Sequence, residues 1–487
     1  MGRVTEPNQV LPVPPADLPA TLGALRAAGH HYRTVKQELR DNLLARLRVG
    51  GDRFPGIVGY DDTVLPEVER ALLAGHDMVL LGERGQGKTR LIRSLVALLD
   101  EWTPVIAGSV LNEHPMHPLT PASRALAAEA GDDLPVAWLH RSMRYGEKLA
   151  TPDTSVGDLI GDVDPIRIAQ GRTLGDPETI HFGLVPRTNR GIFAVNELPD
   201  LAERIQVALL NVLEERDIQV RGYQLRLPLD LLLVASANPE DYTNRGRIIT
   251  PLKDRFGAEI HTHYPLGLEL ELALIRQEAD LVAEVPQHVL EVLARFARAV
   301  RDSPSVDQRS GVSARFAIAA AETVAAAALR RSGLLAAGAT PDGAREETPV
   351  ARVGDAVSVT STLRGKVEFE SGEDGREVEI LAHLLRTATA DTFRARLAGL
   401  DLSGFTALVD DGRVVETGEL VASAELLRQV GTVPGLAKAL DRLGLGDAPT
   451  PEQAAAGVEF VLEGLHLTRR LGKDVTDSGR TVYGGRG

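Results

Sequence analysis

The spacing of hydrophobic residues changes along the chain, and the changes mark out its parts. After a Pro-rich leader, residues 30–51 ("HHYRTVKQELRDNLLARLRVGG") carry Val35, Leu39, Leu43, Leu44 and Leu47 at helical intervals and end in two glycines. That spacing lays one apolar stripe along a helix, and glycine stops it. From Phe54 to about Tyr264 the pattern becomes short continuous apolar runs: "MVLLG" (78–82), "PVAWLH" (135–140), "GIFAVNE" (191–197) and "DLLLVASANP" (230–239). Buried runs bounded by Gly and Pro, interleaved with amphipathic stretches such as Arg90 to Leu99 and Leu201 to Glu215, predict an α/β core with a parallel sheet between helices. Residues 268–332 then turn almost wholly helical, and a stretch rich in Gly, Ala, Pro and Glu reads as a linker. Beyond it the pattern is mixed: a helix in 376–399, a hairpin around Asp411-Gly412, two or three further helices and a polar end expected to be disordered. The resulting division is a helical preface (1–53), an α/β core (54–265), a helical lid (266–335), a linker (336–352), a mixed, mainly helical C-terminal region (353–475) and a tail (476–487). No internal repeat is visible.

Composition narrows the classes. A chain of 487 residues exceeds what one core usually covers. Hydrophobic residues at 43%, charged residues at 25% and aromatics at 4% describe an ordinary globular, helix-rich protein. The net charge of -14 argues against nucleic acid or an anionic membrane as a partner held by general attraction to phosphate. With no cysteine there are no disulfides, thiolate metal sites or thiol nucleophiles, which fits a reducing compartment, and a cytoplasmic location is expected. The first residues hold no apolar core of signal-peptide length, the residues after Gly2 do not make a myristoylation signal, and no run is long and apolar enough to cross a bilayer.

The candidate chemistry begins at the end of the first apolar run. Gly82, Glu83, Arg84, Gly85, Gln86, Gly87, Lys88 and Thr89 match the phosphate-loop pattern, with a strand before and an apolar-periodic helix after. Glycines let successive backbone N–H groups curl around a β-phosphate, Lys88 neutralises the β and γ oxygens of ATP, and Thr89 offers a hydroxyl to magnesium. Upstream, Val58 with Ile57 and Gly59 is a candidate apolar shelf for an adenine ring; a plain turn before a helix is the other reading. The run 191–197 ends in Asn196 and Glu197. A strand adjacent to the phosphate-loop strand would bring such an ending beside the γ-phosphate and metal, Asn196 as a metal contact through water and Glu197 polarising the attacking water. Asn196 brings an acceptor oxygen but no charge. Asn238, ending the next run, can position the lytic water, and Arg255 in "PLKDRF" is either an arginine finger acting on a neighbouring subunit or a surface partner of Asp254 or Glu259.

Other groupings read as structural. His114 and His117 beside Glu113 lack further ligands nearby, and "HTH" at 261–263 alternates at a strand end. Arg221, Arg226, Arg245 and Arg247 either line a pore or are solvated, the second being favoured in so acidic a chain. The Ala-rich stretch from Ala317 to Ala328 suits close helix packing.

Taken in order, Gly82 to Thr89, Glu197, Asn238, Arg255 and Arg315 resemble the motif series of AAA+ ATPases over about residues 54–332. Within these the chain resembles the helix-2-insert group, most of all the ATPase subunit I of magnesium chelatase and MoxR-type ATPases. "ATPDTSVGDLIGDVDP" with "HFGLVPRTNRGIFAVNE" resembles the insert, and "LLNVLEERDIQVRGYQLRLPLDLLLVASANPEDY" the hairpin before the sensor strand. The resemblance implies Lys88 and Thr89 as Walker A, Glu197 as the Walker B glutamate, Asn238 as sensor 1, Arg255 as the finger in trans and Arg315 as sensor 2. It also implies ATP and magnesium as cofactors, a hexameric ring, and a partner carrying a von Willebrand factor A (VWA) domain that the motor would remodel or activate. Asn196 departs from the family's aspartate, and the regions before 54 and after 350 exceed a minimal chelatase subunit. Two alternatives stand beside the motor: a genuine magnesium chelatase component driving metal insertion into a porphyrin, and an ATP-gated scaffold or regulator with little turnover.

Overall fold

The computed structural model describes residues 12–164, 169, 179–214, 217–220, 223–238, 247–307, 310–337, 347–410, 413–476 and 480–484. The chain divides into two compact units, Met1–Glu83 with Gly87–His263, and Arg84–Gln86 with Tyr264–Gly487. This is a simpler division than the apolar pattern suggested.

The first unit is built on a five-stranded sheet. Its strands are β1 (Met78–Leu81), β2 (Tyr145–Leu149), β3 (Gly191–Asn196), β4 (Leu231–Ala237) and β5 (Ala258–His261), in the order β5-β1-β4-β3-β2. All four pairings are parallel. Successive side chains on a strand point to opposite faces, so the continuous apolar runs feed two cores. Met78, Leu80, Ile192, Ala194, Leu232 and Val234 enter one, and Val79, Leu81, Phe193, Val195, Leu233 and Ala235 the other.

Several expectations are corrected here. The "PVAWLH" run is not a strand of the central sheet: Val136–His140 pairs antiparallel with Trp102–Ile106 in a separate two-stranded ribbon, where it is mostly half-buried despite its apolar residues. The strand that fills the edge is β2, "YGEKL", whose Glu and Lys hid it from an apolar search. The phosphate-loop strand and the Asn-Glu strand are not neighbours, since β4 lies between them. The stretch from Arg90 to Leu99 is helical over Lys88–Ser94 and tightens to a 3-10 turn over Leu95–Leu98.

The preface is no appendage. The helix Val35–Val49, opened by a Thr34/Gln37 capping box and closed by Gly50 in the left-handed region, buries Val35, Leu39 and Leu43 in the same core as Met78 and Leu80. Glu38 on that helix makes a two-pronged ion pair with Arg144, at 2.6 and 2.7 Å, both side chains nearly inaccessible to water. Within the insert, Gly161–Val163 pairs antiparallel with Ile180–Phe182, and Asp217–Val220 pairs with Tyr223–Arg226 as the hairpin before β4.

The second unit is helical. Leu268–Glu278, Gln287–Arg301, Ala314–Ala337, Glu377–Leu397 and Pro451–Leu467 close on one apolar core containing Phe296, Phe316, Phe393 and Phe460. Lid and C-terminal region thus share a core. The end of the expected linker is fixed too, with Arg331 held by Asp355 and by the Val350 carbonyl. His288 is fully buried there, and burial pushes its pKa down to about 4. The Asp411-Gly412 turn lies outside the described residues, but its flanks do not form a hairpin: Ser403–Asp410 is a helix, and Val415–Thr417 pairs with Thr481–Gly484. That last strand occupies the middle of a three-stranded antiparallel sheet, so the tail expected to be disordered is ordered over 480–484, anchored by buried Tyr483 donating to Glu463 at 2.5 Å. Among the described residues no helix is long and apolar enough to cross a membrane.

Candidate functional site

Parallel strands end at one edge of a sheet, and there β1, β3 and β4 deliver their last side chains. Gly82 follows β1, Glu197 follows β3 and Asn238 follows β4. The backbone at Gly87 is left-handed, φ +81°, and a Cβ there would meet nothing within 4 Å. Lys88 follows at the first turn of its helix, and its residue is 7% exposed. Its ammonium donates to the carbonyl of Gly82, to that of Glu83 at 2.9 Å and to Asn238 Oδ1 at 2.9 Å. Asn238 in turn donates through Nδ2 to Glu197 Oε2 at 3.0 Å. One chain of hydrogen bonds therefore links the loop lysine to the strand-end glutamate across β4.

A second chain lies beside it. Thr89 donates to Asn196 Oδ1 at 3.4 Å, and Ser236 to the same oxygen at 3.1 Å. The Asn196 Nδ2 group donates to Glu147 Oε1 on β2 at 2.6 Å. Glu147 is further held by Arg93, at 2.8 and 3.1 Å, and by the Tyr145 hydroxyl at 3.0 Å. Its hydrogen bond raises the Arg93 pKa, and burial followed by the Glu147 charge raises that of Tyr145. Glu197 itself has φ +56°, a left-handed backbone that a non-glycine residue adopts at a cost.

These groups fit ATP and magnesium by the chemistry of their donors. An open glycine turn followed by a buried ammonium suits a phosphate, and Thr89 Oγ1 beside Asn196 Oδ1 is an all-oxygen pair suited to a hard cation. Among the described residues no group of three or more His, Cys, Asp or Glu side chains is arranged to hold a metal.

The remaining sequence candidates are placed as follows. Val58 is half-buried in the loop before Tyr60, next to Ile57, which packs on the core. Arg84, Gly85 and Gln86 group with the second unit, where Tyr264 donates to the Arg84 carbonyl at 2.7 Å. Arg315, exposed near the start of Ala314–Ala337, is also in the second unit. Arg255 is 46% exposed and pairs with Glu214, not with the Asp254 or Glu259 considered from sequence; Lys253 takes Glu259. Arg247 is exposed, while Arg221 and Arg245 lie outside the described residues. Glu113 is consumed by the amides of Leu119 and Thr120 and the hydroxyls of Thr120 and Ser123. His114 stacks on His30, and burial with the Arg190 charge lowers its pKa to about 3. Both are structural. His263 likewise serves Tyr60 and Thr63.

Sequence reasoning missed Glu147 and Ser236. The signal for Glu147 was a carboxylate in mid-strand, where a sheet residue is usually apolar or turned to solvent.

No family model matches the chain. Curated relatives do. It is 30% identical over 235 residues to the magnesium-chelatase subunit ChlI of Nostoc sp., covering 47% of this chain and 59% of that one. The magnesium-chelatase subunit ChlI of Anabaena variabilis is 30% identical over 208 residues, with 42% and 58% covered. The chloroplastic subunit ChlI-1 of Arabidopsis thaliana is 28% identical over 232 residues, with 46% and 51% covered. Over these residues the chain is similar in sequence to magnesium chelatase subunit I. It spans less than two thirds of the length of each of these three relatives. Among solved structures, the complex between subunits BchI and BchD of magnesium chelatase aligns at 24% identity over 67% of this chain with a TM-score of 0.35. The relationship to subunit I thus rests on sequence, and the parallel five-stranded sheet flanked by helices agrees with the AAA+ fold it implies.

Proposed function

We propose that this chain binds magnesium-ATP at Gly82–Thr89 and hydrolyses it as an AAA+ ATPase, working on a partner protein from within a ring of its own copies. The observation that carries the proposal is the hydrogen-bonded series Lys88, Asn238, Glu197 at the carboxyl edge of the sheet. Lys88 would hold phosphate oxygens, and Glu197 would accept a proton from, and so polarise, the attacking water. Asn238, donating to Glu197 Oε2, orients that carboxylate. Thr89 and Asn196 would hold magnesium, whose chemistry when bound is to offset charge on the β and γ oxygens. In the ring, Arg255 would act on the nucleotide of the neighbouring subunit and Arg315 would contact phosphate as sensor 2. The number of copies proposed is six, the partner a VWA-domain protein, and the location cytoplasmic. All of these extend the likeness to magnesium chelatase subunit I.

A second reading, nucleotide-gated assembly with little turnover, is favoured by one observation: the neutral Asn196 stands where the family has aspartate. Both readings require nucleotide binding at Lys88. Calorimetric titration of the purified chain with ATP and magnesium should give saturable binding that Lys88→Ala abolishes. Equal binding by wild type and variant would remove the phosphate-loop assignment.

A further inference from the structure

The Asn196 amide has two ends, and only its oxygen is of use to a cation. An isolated asparagine at the end of β3 would turn either end toward Thr89. Here the choice is made by neighbours. Glu147 is a carboxylate and accepts only, so the group facing it at 2.6 Å must be the Nδ2 amine. Ser236, on the other side, donates to Oδ1 at 3.1 Å, leaving that oxygen toward Thr89. Glu147 is itself held in place: β2 runs parallel to β3 with Glu147 opposite Ala194 and Leu149 opposite Asn196, and Arg93 and Tyr145 fix both carboxylate oxygens.

We infer that Glu147 is the positioning residue of the magnesium site, orienting Asn196 and supplying from the adjacent strand the carboxylate charge that β3 lacks. The usual aspartate has been divided into an acceptor oxygen on one strand and a negative charge on the next. Glu147 acts through Asn196, one hydrogen bond away from the cation's place. The Arg93 guanidinium offsets part of its charge, but that side chain is 62% exposed and therefore screened by water, whereas Glu147 is 20% exposed. This inference rests on the nucleotide reading above.

The test exploits the division. In Glu147→Gln the charge is gone and the neighbour of Asn196 can donate as well as accept, so the amide is free to flip. Adding Asn196→Asp restores one carboxylate and one amide in hydrogen-bonding contact, with places exchanged. The readout is Mn2+ bound in the presence of N-methylanthraniloyl-ATP, followed by the loss of the free Mn2+ paramagnetic resonance signal, with nucleotide fluorescence in parallel. Thermal unfolding of each variant establishes that it is folded. Glu147→Gln should weaken the cation by roughly tenfold, as outer-shell substitutions do, while nucleotide fluorescence still saturates. The exchanged pair should recover to within about threefold of wild type, or bind more tightly. Unchanged Mn2+ binding in a folded Glu147→Gln variant overturns the inference, and so does a loss that the exchanged pair fails to recover. If wild type binds no nucleotide, the ATP reading falls and this inference with it, an outcome visible in the fluorescence channel alone.

Discussion

Glu197 holds a backbone conformation, φ +56°, that ordinary residues avoid because Cβ crowds the following carbonyl. The structure tolerates it because β3 ends there and the chain must turn at once into Leu198–Asp200. The turn aims the carboxylate at Asn238. Backbone strain at Glu197, the proposed water-polarising residue, has a measurable signature. Glu197→Gly should be more stable than Glu197→Ala by roughly 0.5–1 kcal/mol in urea unfolding, the left-handed penalty less glycine's extra freedom in the unfolded chain. Equal stability of the two variants would show that the turn is not strained. At this scale much of the candidate site was legible in the sequence, because the phosphate loop, Glu197 and Asn238 each stand at the end of an apolar run, and the structure brings Lys88, Asn238 and Glu197 into one hydrogen-bonded series. Glu147 was not legible, since its place beside Asn196 depends on which strand lies next to β3, and adjacency of strands is a long-range fact.

The helix Val35–Val49 shows how an element can be read correctly and placed wrongly. Its spacing of apolar residues gave the helix, yet nothing local revealed that its polar Glu38 is buried with Arg144 on the 3-10 turn leading into β2. Such a pair is costly to break because the survivor is left charged in a dry site. Arg144→Met should lower stability by about 3–5 kcal/mol, and adding Glu38→Gln should recover a substantial part of it. A loss below about 1 kcal/mol, the range of a solvent-exposed pair, would mean the helix is peripheral to the first unit after all. The strands failed in sequence for a related reason. Half-buried "VAWLH" is apolar enough to look central, whereas the central edge strand "YGEKL" carries a glutamate and a lysine and does not. Apolar runs report burial on both faces; an edge strand with a polar task gives no such report.

At the scale of the whole molecule, the chain is two compact units, of which the α/β unit holds Lys88, Thr89, Asn196, Glu197 and Asn238. The helical unit joins lid and C-terminal region in one core, and its last strand, which pairs with the nearby Gly472–Val475 and with the distant Val415–Thr417, was hidden in the sequence by the Gly-rich, polar composition of the end of the chain. The proposed nucleotide chemistry belongs to the α/β unit, and its central claim is that Glu197 polarises water for attack on magnesium-ATP. The most direct test is steady-state phosphate release by the full chain with magnesium-ATP, beside Glu197→Gln and Lys88→Ala. Wild type should turn over, Lys88→Ala should lose binding and turnover together, and Glu197→Gln should keep nucleotide binding while its rate falls by at least about a hundredfold, the scale of general-base catalysis. Wild type that binds ATP without releasing phosphate, or a Glu197→Gln variant that releases it at the wild-type rate, would contradict the account.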